Sequence, residues 1–287
     1  MEQRAADVQA RLATVSSFGE LVGAMQGVAA ARAEHAKKLI AGTNAYARAV
    51  AGAMAQALAL VPPDQRAVPQ ATGRRPLWIL FCAEQAFNGG LSDRVLAAVP
   101  GIAGARVMLL GAQGMRLAPL QGIDPEWSAP LIAHADAVVP ASDRLQAALA
   151  QALAREPATQ VEMVFAEVGE GNQYQVIQHR LLPLDLDTLR RVNGAKNPVI
   201  HLTPQRLLDR LLDEYLSARL THALLHSHCA ENLSRLQAMA AAHDNVTHMA
   251  EDLAADARRL RQEAITAEIV ELAAGLQALR SGHDARA

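Results

Sequence analysis

PQRLLDRLLDEYLSARLTHALLHSHCAENLSRLQAMAAAHDNVTHMAEDLAADARRLRQEAITAEIVELAA, residues 204–274, has its only proline at the first position and no glycine. Proline inside a helix removes a backbone bond and clashes with the preceding turn, costing about 3 kcal/mol, yet it is tolerated in the first turn. The stretch reads as one helix opened by Pro204 with Thr203 as its cap. From Gln205 to Ala274 it contains 70 residues. At about 1.5 Å per residue these would span roughly 105 Å, longer than any globular core.

Outward from this helix, all 13 prolines of the 287 residues lie between Pro62 and Pro204, so the first 61 residues are also proline-free. There Val8, Val15, Val22, Ala29, Ala36, Thr43 and Val50 form one seven-residue column, and Phe18, Met25, Arg32, Leu39 and Tyr46 form the column three residues on. Such a register predicts a coiled-coil seam. Gly19, Gly23, Gly27, Gly42 and Gly52 each weaken a helix by about 1 kcal/mol, but small residues let a partner backbone come close. In the last helix Val246, Met249, Leu253, Leu260, Ala264, Ala267 and Leu276 recur at steps of three and four or their sums. The simplest model pairs this distal half with the first arm, antiparallel.

Between the arms the period changes. Pro62–Pro76 reads as a linker. Leu77–Cys82 is a continuous apolar run of strand length, Arg106–Leu110 and Val161–Phe165 read as a second and a third strand, and Tyr174–Ile177 begins a further pair. Ser92–Val99 and Asp143–Arg155 read as helices, the second with Ser142 as cap. Strands alternating with helices predict a mostly parallel sheet. The expected fold is therefore α/β: a long antiparallel coiled coil of N- and C-terminal helices with an inserted Rossmann-like α/β domain. Its boundaries fall at 1–61, 62–203 and 204–287.

A net charge of −2 lacks the basic excess that nucleic acid would call for. Cys82 and Cys229 make no disulfide framework and point to a reducing compartment. No apolar run follows Glu2, Arg4 and Asp7 as in a signal peptide, and no stretch predicts direct membrane insertion. None of the lysines, Lys37, Lys38 and Lys196, follows a glycine, so no P-loop is present. Gly169-Glu170-Gly171 fails as a dinucleotide fingerprint at its third glycine, and Gly111 and Gly114 make a strand-ending turn. No cofactor is expected. The sharper rival is a metal-dependent activity. His222, His226 and Cys229 stand at i, i+4 and i+7 beside His228, a spacing that can ligate zinc if further ligands join. His222 and Cys229 also fit a packing stripe with Tyr215 and Leu236. A coiled-coil scaffold with an α/β binding module is the other alternative.

Glu231, Arg235, Ala238-Met239, Ala241-Ala242 and Asn245 form E-x-x-x-R-x-x-A-M-x-A-A-x-x-N, followed by the segment Arg261 to Glu271. Together these resemble the C-terminal signature of the gamma subunit of F-type ATP synthases. Ala24-Met25-Gln26-Gly27-Val28-Ala29-Ala30 and Asn88-Gly89-Gly90-Leu91-Ser92 resemble two further motifs of that family. The resemblance implies a rotor: an asymmetric coiled coil that turns inside the catalytic head and couples ion flow to ATP synthesis or hydrolysis, with no catalysis on the chain itself. It implies as partners the alpha and beta subunits of the head, the epsilon subunit and the ring of membrane c subunits. It also implies a peripheral place on the cytoplasmic face of the bacterial inner membrane. Met25, Arg261 and Gln262 then match head-contacting positions, and Thr266 and Glu268 lie on the same matching segment. Val22 and Gly23 replace the family's usual threonine and lysine, Asn88 and Ser92 its cysteine and asparagine, and Glu263 a small residue. These departures fit a divergent or alternate rotary ATPase and leave proton and sodium both open as the coupling ion.

Overall fold

A computed structural model describes residues 2–61, 75–99, 101, 105–184 and 200–284. Its apolar runs form β1 (Leu77–Phe81), β2 (Arg106–Leu110), β3 (Trp127–Ala129), β4 (Val161–Val168) and β5 (Tyr174–Leu182), in the sheet order β3-β2-β1-β4-β5. Neighbouring strands run parallel except β4 and β5, which are antiparallel. Every residue of β1 and β2 is buried, which is why Leu77–Phe81 and Val107–Leu110 are continuously apolar rather than alternating, and the buried Arg106 that opens β2 is paired with Glu126 and the Ala152 carbonyl.

Leu77, Ile79, Phe81, Met108, Met163 and Phe165 line one face of the sheet and pack with α4 (Val138–Arg155) and with residues of both long helices. Trp78, Leu80, Cys82, Val107, Leu109 and Val164 line the other and pack with Val95 and Leu96 of α2 (Leu91–Ala97). Phe81 and Phe165 meet edge to face at 6.2 Å between centroids, an arrangement worth about 0.5–1.5 kcal/mol beyond burial. After β2 the chain turns at Gly111 with φ +99° into α3 (Ala112–Leu117), and a Cβ there would lie 2.2 Å from the Cys82 carbonyl oxygen. Only glycine fits that turn.

The two arms are α1 (Glu2–Leu60) and α5 (Pro204–Asp284). The chain divides into two compact units, Val28–Ala238 and Met1–Gly27 with Met239–Ala287. Within the larger unit α1 and α5 run antiparallel. Leu208 clusters with Met54, Ala57 and Leu58, His222 lies beside Asn44, and the Cys229 thiol donates to the Ala33 carbonyl. Within the smaller unit Gly19 lies against Val246.

α5 opens at Pro204 as its sequence predicts, with the Thr203 carbonyl accepting the Leu207 N–H at 3.0 Å. Other expectations are corrected. The first column of α1 is buried or half-buried throughout, but Phe18 and Tyr46 of the second are 52% and 42% exposed. The packed partner column lies four residues on: Leu12, Gly19, Gln26, Ala33, Ile40, Ala47 and Met54. Three of these seven, Gly19, Ala33 and Ala47, are small, and none is aromatic. Gly19 is the close approach expected of the glycines, since its Cβ would meet Val246 at 3.1 Å, while Gly23, Gly27 and Gly42 have nothing within 4 Å. On α5, Met249 and Ala267 are exposed, and Met239, Val246, Leu253, Leu260 and Ala264 carry the packing.

Ser142 is no cap. The helix begins at Val138, with Pro140 tolerated in its first turn, and the buried Ser142 hydroxyl donates to the Ser217 carbonyl at 3.2 Å. β3 was not expected because three half-exposed residues leave no periodic signal. The linker expected at Pro62–Pro76 falls mostly outside the described residues, as does the side chain of Leu276.

Candidate partner-contact site

Two regions carry the residues that the sequence singles out. On α5, Arg261, Gln262, Thr266 and Glu268 are all exposed. Helical spacing splits them between two columns. Gln262 and Thr266 line a shallow groove with Arg259, Glu263, Ala267 and Val270, and the Thr266 hydroxyl donates to the Gln262 carbonyl at 2.9 Å. Arg261 and Glu268, seven residues apart, share the neighbouring column with Ile265 and Leu272. Ile265, Ile269 and Leu272 are 52%, 60% and 64% exposed. Large apolar side chains left in water beside charged ones have the composition of an interface rather than of a solvated face. Met25 on α1 is half-buried and is in no groove with the α5 residues.

The second region is the loop after β1. The Glu231 carboxylate on α5 accepts the backbone N–H groups of Glu84 and Gln85 at 3.1 and 2.9 Å, and Arg235 donates to it at 2.5 Å. Ser234 donates to the Asn88 carbonyl at 2.5 Å, and Arg235 reaches the Ala86 carbonyl. The Asn88 side chain accepts from the Leu91 N–H and donates to the Gln85 carbonyl, while the Ser92 hydroxyl accepts the Ala83 N–H. One helical turn of α5 thus ties the loop from Glu84 to Asn88, and the motif's own Asn88 and Ser92 tie the remainder. Sequence reading placed these residues in signatures but not in contact, because 140 or more residues separate the partners. Ala230 packs with Ala83 and Ala166, at the carboxyl ends of β1 and β4. An open α/β sheet takes ligands at that end, where its strand order reverses. Here α5 fills the crevice, and a carboxylate sits on the N–H groups that could have met a phosphate.

A family model described as ATP synthase matches residues 4–279. The chain belongs to the ATP synthase family. It is 29% identical to the ATP synthase gamma chain of Parafrankia sp. (strain EAN1pec), over 95% of this chain and 96% of the relative. It is 25% identical to that of Heliobacterium modesticaldum (strain ATCC 51547 / Ice1), over 95% and 98%. Its fold resembles a chain of the Euglena gracilis mitochondrial ATP synthase rotor, with a TM-score of 0.63 at 11% identity over 92% of this chain and 100% of that one. As a gamma chain of this family it is a non-catalytic subunit.

Within the family frame, the departures have local reasons. Val22, where the family usually has threonine, is a buried seam residue at 2% exposure. Asn88 and Ser92 keep the glycine loop tied by their own hydrogen bonds. The residues of the zinc alternative are engaged otherwise. His226 Nδ1 accepts the Val168 N–H at 3.0 Å, and His222 lies between Asn44 at 2.9 Å and Glu167 at 3.3 Å. Burial foremost, then Arg219 and neighbouring imidazoles, pushes the His222 ring down to about 4, and burial pushes the Cys229 thiol up to about 12. The described residues hold no group of three or more His, Cys, Asp or Glu that could bind a metal ion. Nor, among them, is any helix long and apolar enough to cross a membrane.

Proposed function

We propose that this chain is the central-stalk rotor of an F-type ATP synthase. Its coiled coil turns within a head of alpha and beta subunits, and its α/β domain meets an epsilon subunit and a ring of membrane c subunits. Rotation of an asymmetric shaft drives the head's nucleotide sites through different affinities, coupling ion flow to ATP synthesis or hydrolysis. The observation that carries this reading is the family match across residues 4–279, spanning both arms and the sheet. The functional division follows the arms, 1–61 and 204–287, around the domain at 62–203. The chain works as a peripheral component on the cytoplasmic face of a bacterial inner membrane.

Arg261, Gln262, Thr266, Glu268 and Met25 contact the head in this proposal. Exposure of the four α5 residues supports it, because a rotor needs few strong anchors. An Arg/Gln pair can make directional bonds to a loop at one angle and lose them at the next. The test is reconstitution with the head subunits of the same organism, with a probe on the α/β domain. Stepwise ATP-driven rotation is expected, weakened in an Arg261→Ala, Gln262→Ala variant that still assembles. Failure to form a complex with any such head would overturn the rotor reading.

A further inference from the structure

Where the β4–β5 hairpin meets α5, the hydrogen bonds of His179 and His226 are arranged for uncharged rings, whereas both nitrogens of His222 face oxygen acceptors, Asn44 Oδ1 and the Glu167 carboxylate. His226 Nδ1 must accept the proton of the Val168 amide at the end of β4, so its single hydrogen sits on Nε2, which is buried with no partner. A second proton on that ring would set N–H against N–H. His179 on β5 turns Nε2 toward the Arg219 guanidinium, which can only donate. The His222 and His226 rings stack with centroids 4.1 Å apart, so charging both would press two cations together. Facing them, Arg219 on α5 adds a fixed positive charge, Glu167 on β4 supplies the counter-charge, and Asn44 on α1 offers a neutral amide. β4 is paired with β1 and buried from Val161 to Ala166, but beyond that point the hairpin's attachment is thin. β5 has one fully buried residue, Leu181, and its tip is tied by Lys37 to Asn172 and by Arg94 to the Tyr174 hydroxyl.

We propose that His179 and His226 form a proton-sensitive clasp that holds the outer end of the β4–β5 hairpin on α5 while their rings are neutral and releases it when acid charges them. Burial and neighbouring positive groups push both rings down to about 4 from an ordinary 6.5. A ring whose proton affinity falls on folding gives its full stabilisation above the unfolded value. That stabilisation is lost as pH drops toward the folded one. The window is therefore from about 6.5 down to about 4.

The test is hydrogen exchange of the full chain between pH 8 and 4, corrected for intrinsic rates, comparing the Val168 amide with amides of β1. In the wild type the Val168 opening constant is expected to rise through the window by about tenfold per pH unit for each proton taken up. Amides of β1 should change far less. His226→Gln keeps an oxygen acceptor for Val168 but cannot titrate, and should flatten the dependence by about one proton, or about tenfold per pH unit. Flat protection of Val168 in the wild type, or an unchanged slope in His226→Gln, would overturn the clasp. Should the variant not fold, the wild-type ring titration by NMR decides instead. His226 protonating near its ordinary value with Val168 still protected overturns the proposal, and protonation only as Val168 opens supports it.

Discussion

Replacing Glu231 by alanine would strand the backbone N–H groups of Glu84 and Gln85 and the Arg235 guanidinium together, all inside the protein. Breaking a buried charge pair from one side costs about 3–5 kcal/mol. Arg235→Ala leaves Glu231 its two backbone donors, so its loss should be the smaller. Urea unfolding of the two variants checks the order, and equal losses would show that the carboxylate's backbone bonds contribute nothing. A second residue-scale expectation concerns the thiols. Cys82 and Cys229 are buried, and burial pushes both up to about 12. At pH 8 the native chain should resist a thiol reagent and react at both positions once denatured. Rapid labelling of the native chain would mean that these sites open locally.

At the scale of elements, α1 keeps glycines that its own packing does not require. Gly23, Gly27 and Gly42 have open space where a Cβ would point. Alanine at each should raise stability by about 0.5–1 kcal/mol through helix propensity and a less flexible unfolded chain. Gly19→Ala should gain less or lose, because its Cβ would press on Val246 at 3.1 Å. Thermal midpoints of the four variants test this, and a loss in all four would mean that the open glycines have a structural role in the isolated chain. The same helix shows what was legible in its residues. Its length and one buried column follow from composition and period. The second column does not, because steps of three and four both fit the heptad and only the packed partner decides between them. The strands β1, β2 and β4 were legible in the sequence. β3 has too few residues for a pattern, and Ser142 resembles a cap until the helix is seen to start before it. The α5 residues proposed to meet the head came from resemblance alone. The tie from Glu231 to the loop after β1, and the acceptor role of His226, depend on contacts far apart in sequence that no local pattern encodes.

The two compact units of the whole molecule are stabilised very unequally. Among the described residues, the buried apolar side chains of the smaller unit are Val22, Met239 and Leu260, whereas the larger contains a sheet with Leu77, Ile79, Leu80 and Met108 fully covered. Two helices with so little buried surface open more readily than a packed sheet. In the isolated full chain, amides of residues 4–27 and 239–274 should exchange faster than those of β1, β2 and β4, and unfolding should not be two-state. The exposed Ile265, Ile269 and Leu272 indicate where the missing burial would come from. Adding the head subunits at about 100 times their dissociation constant should stabilise what they cover by about 2.7 kcal/mol, slowing exchange there about 100-fold. The sheet amides, already protected by their own core, should change little. Hydrogen exchange with and without the head measures both effects. Uniform protection in the isolated chain would show that the coil is stable by itself. A slowing confined to the sheet would place the head's contact on the α/β domain and remove the α5 residues from it.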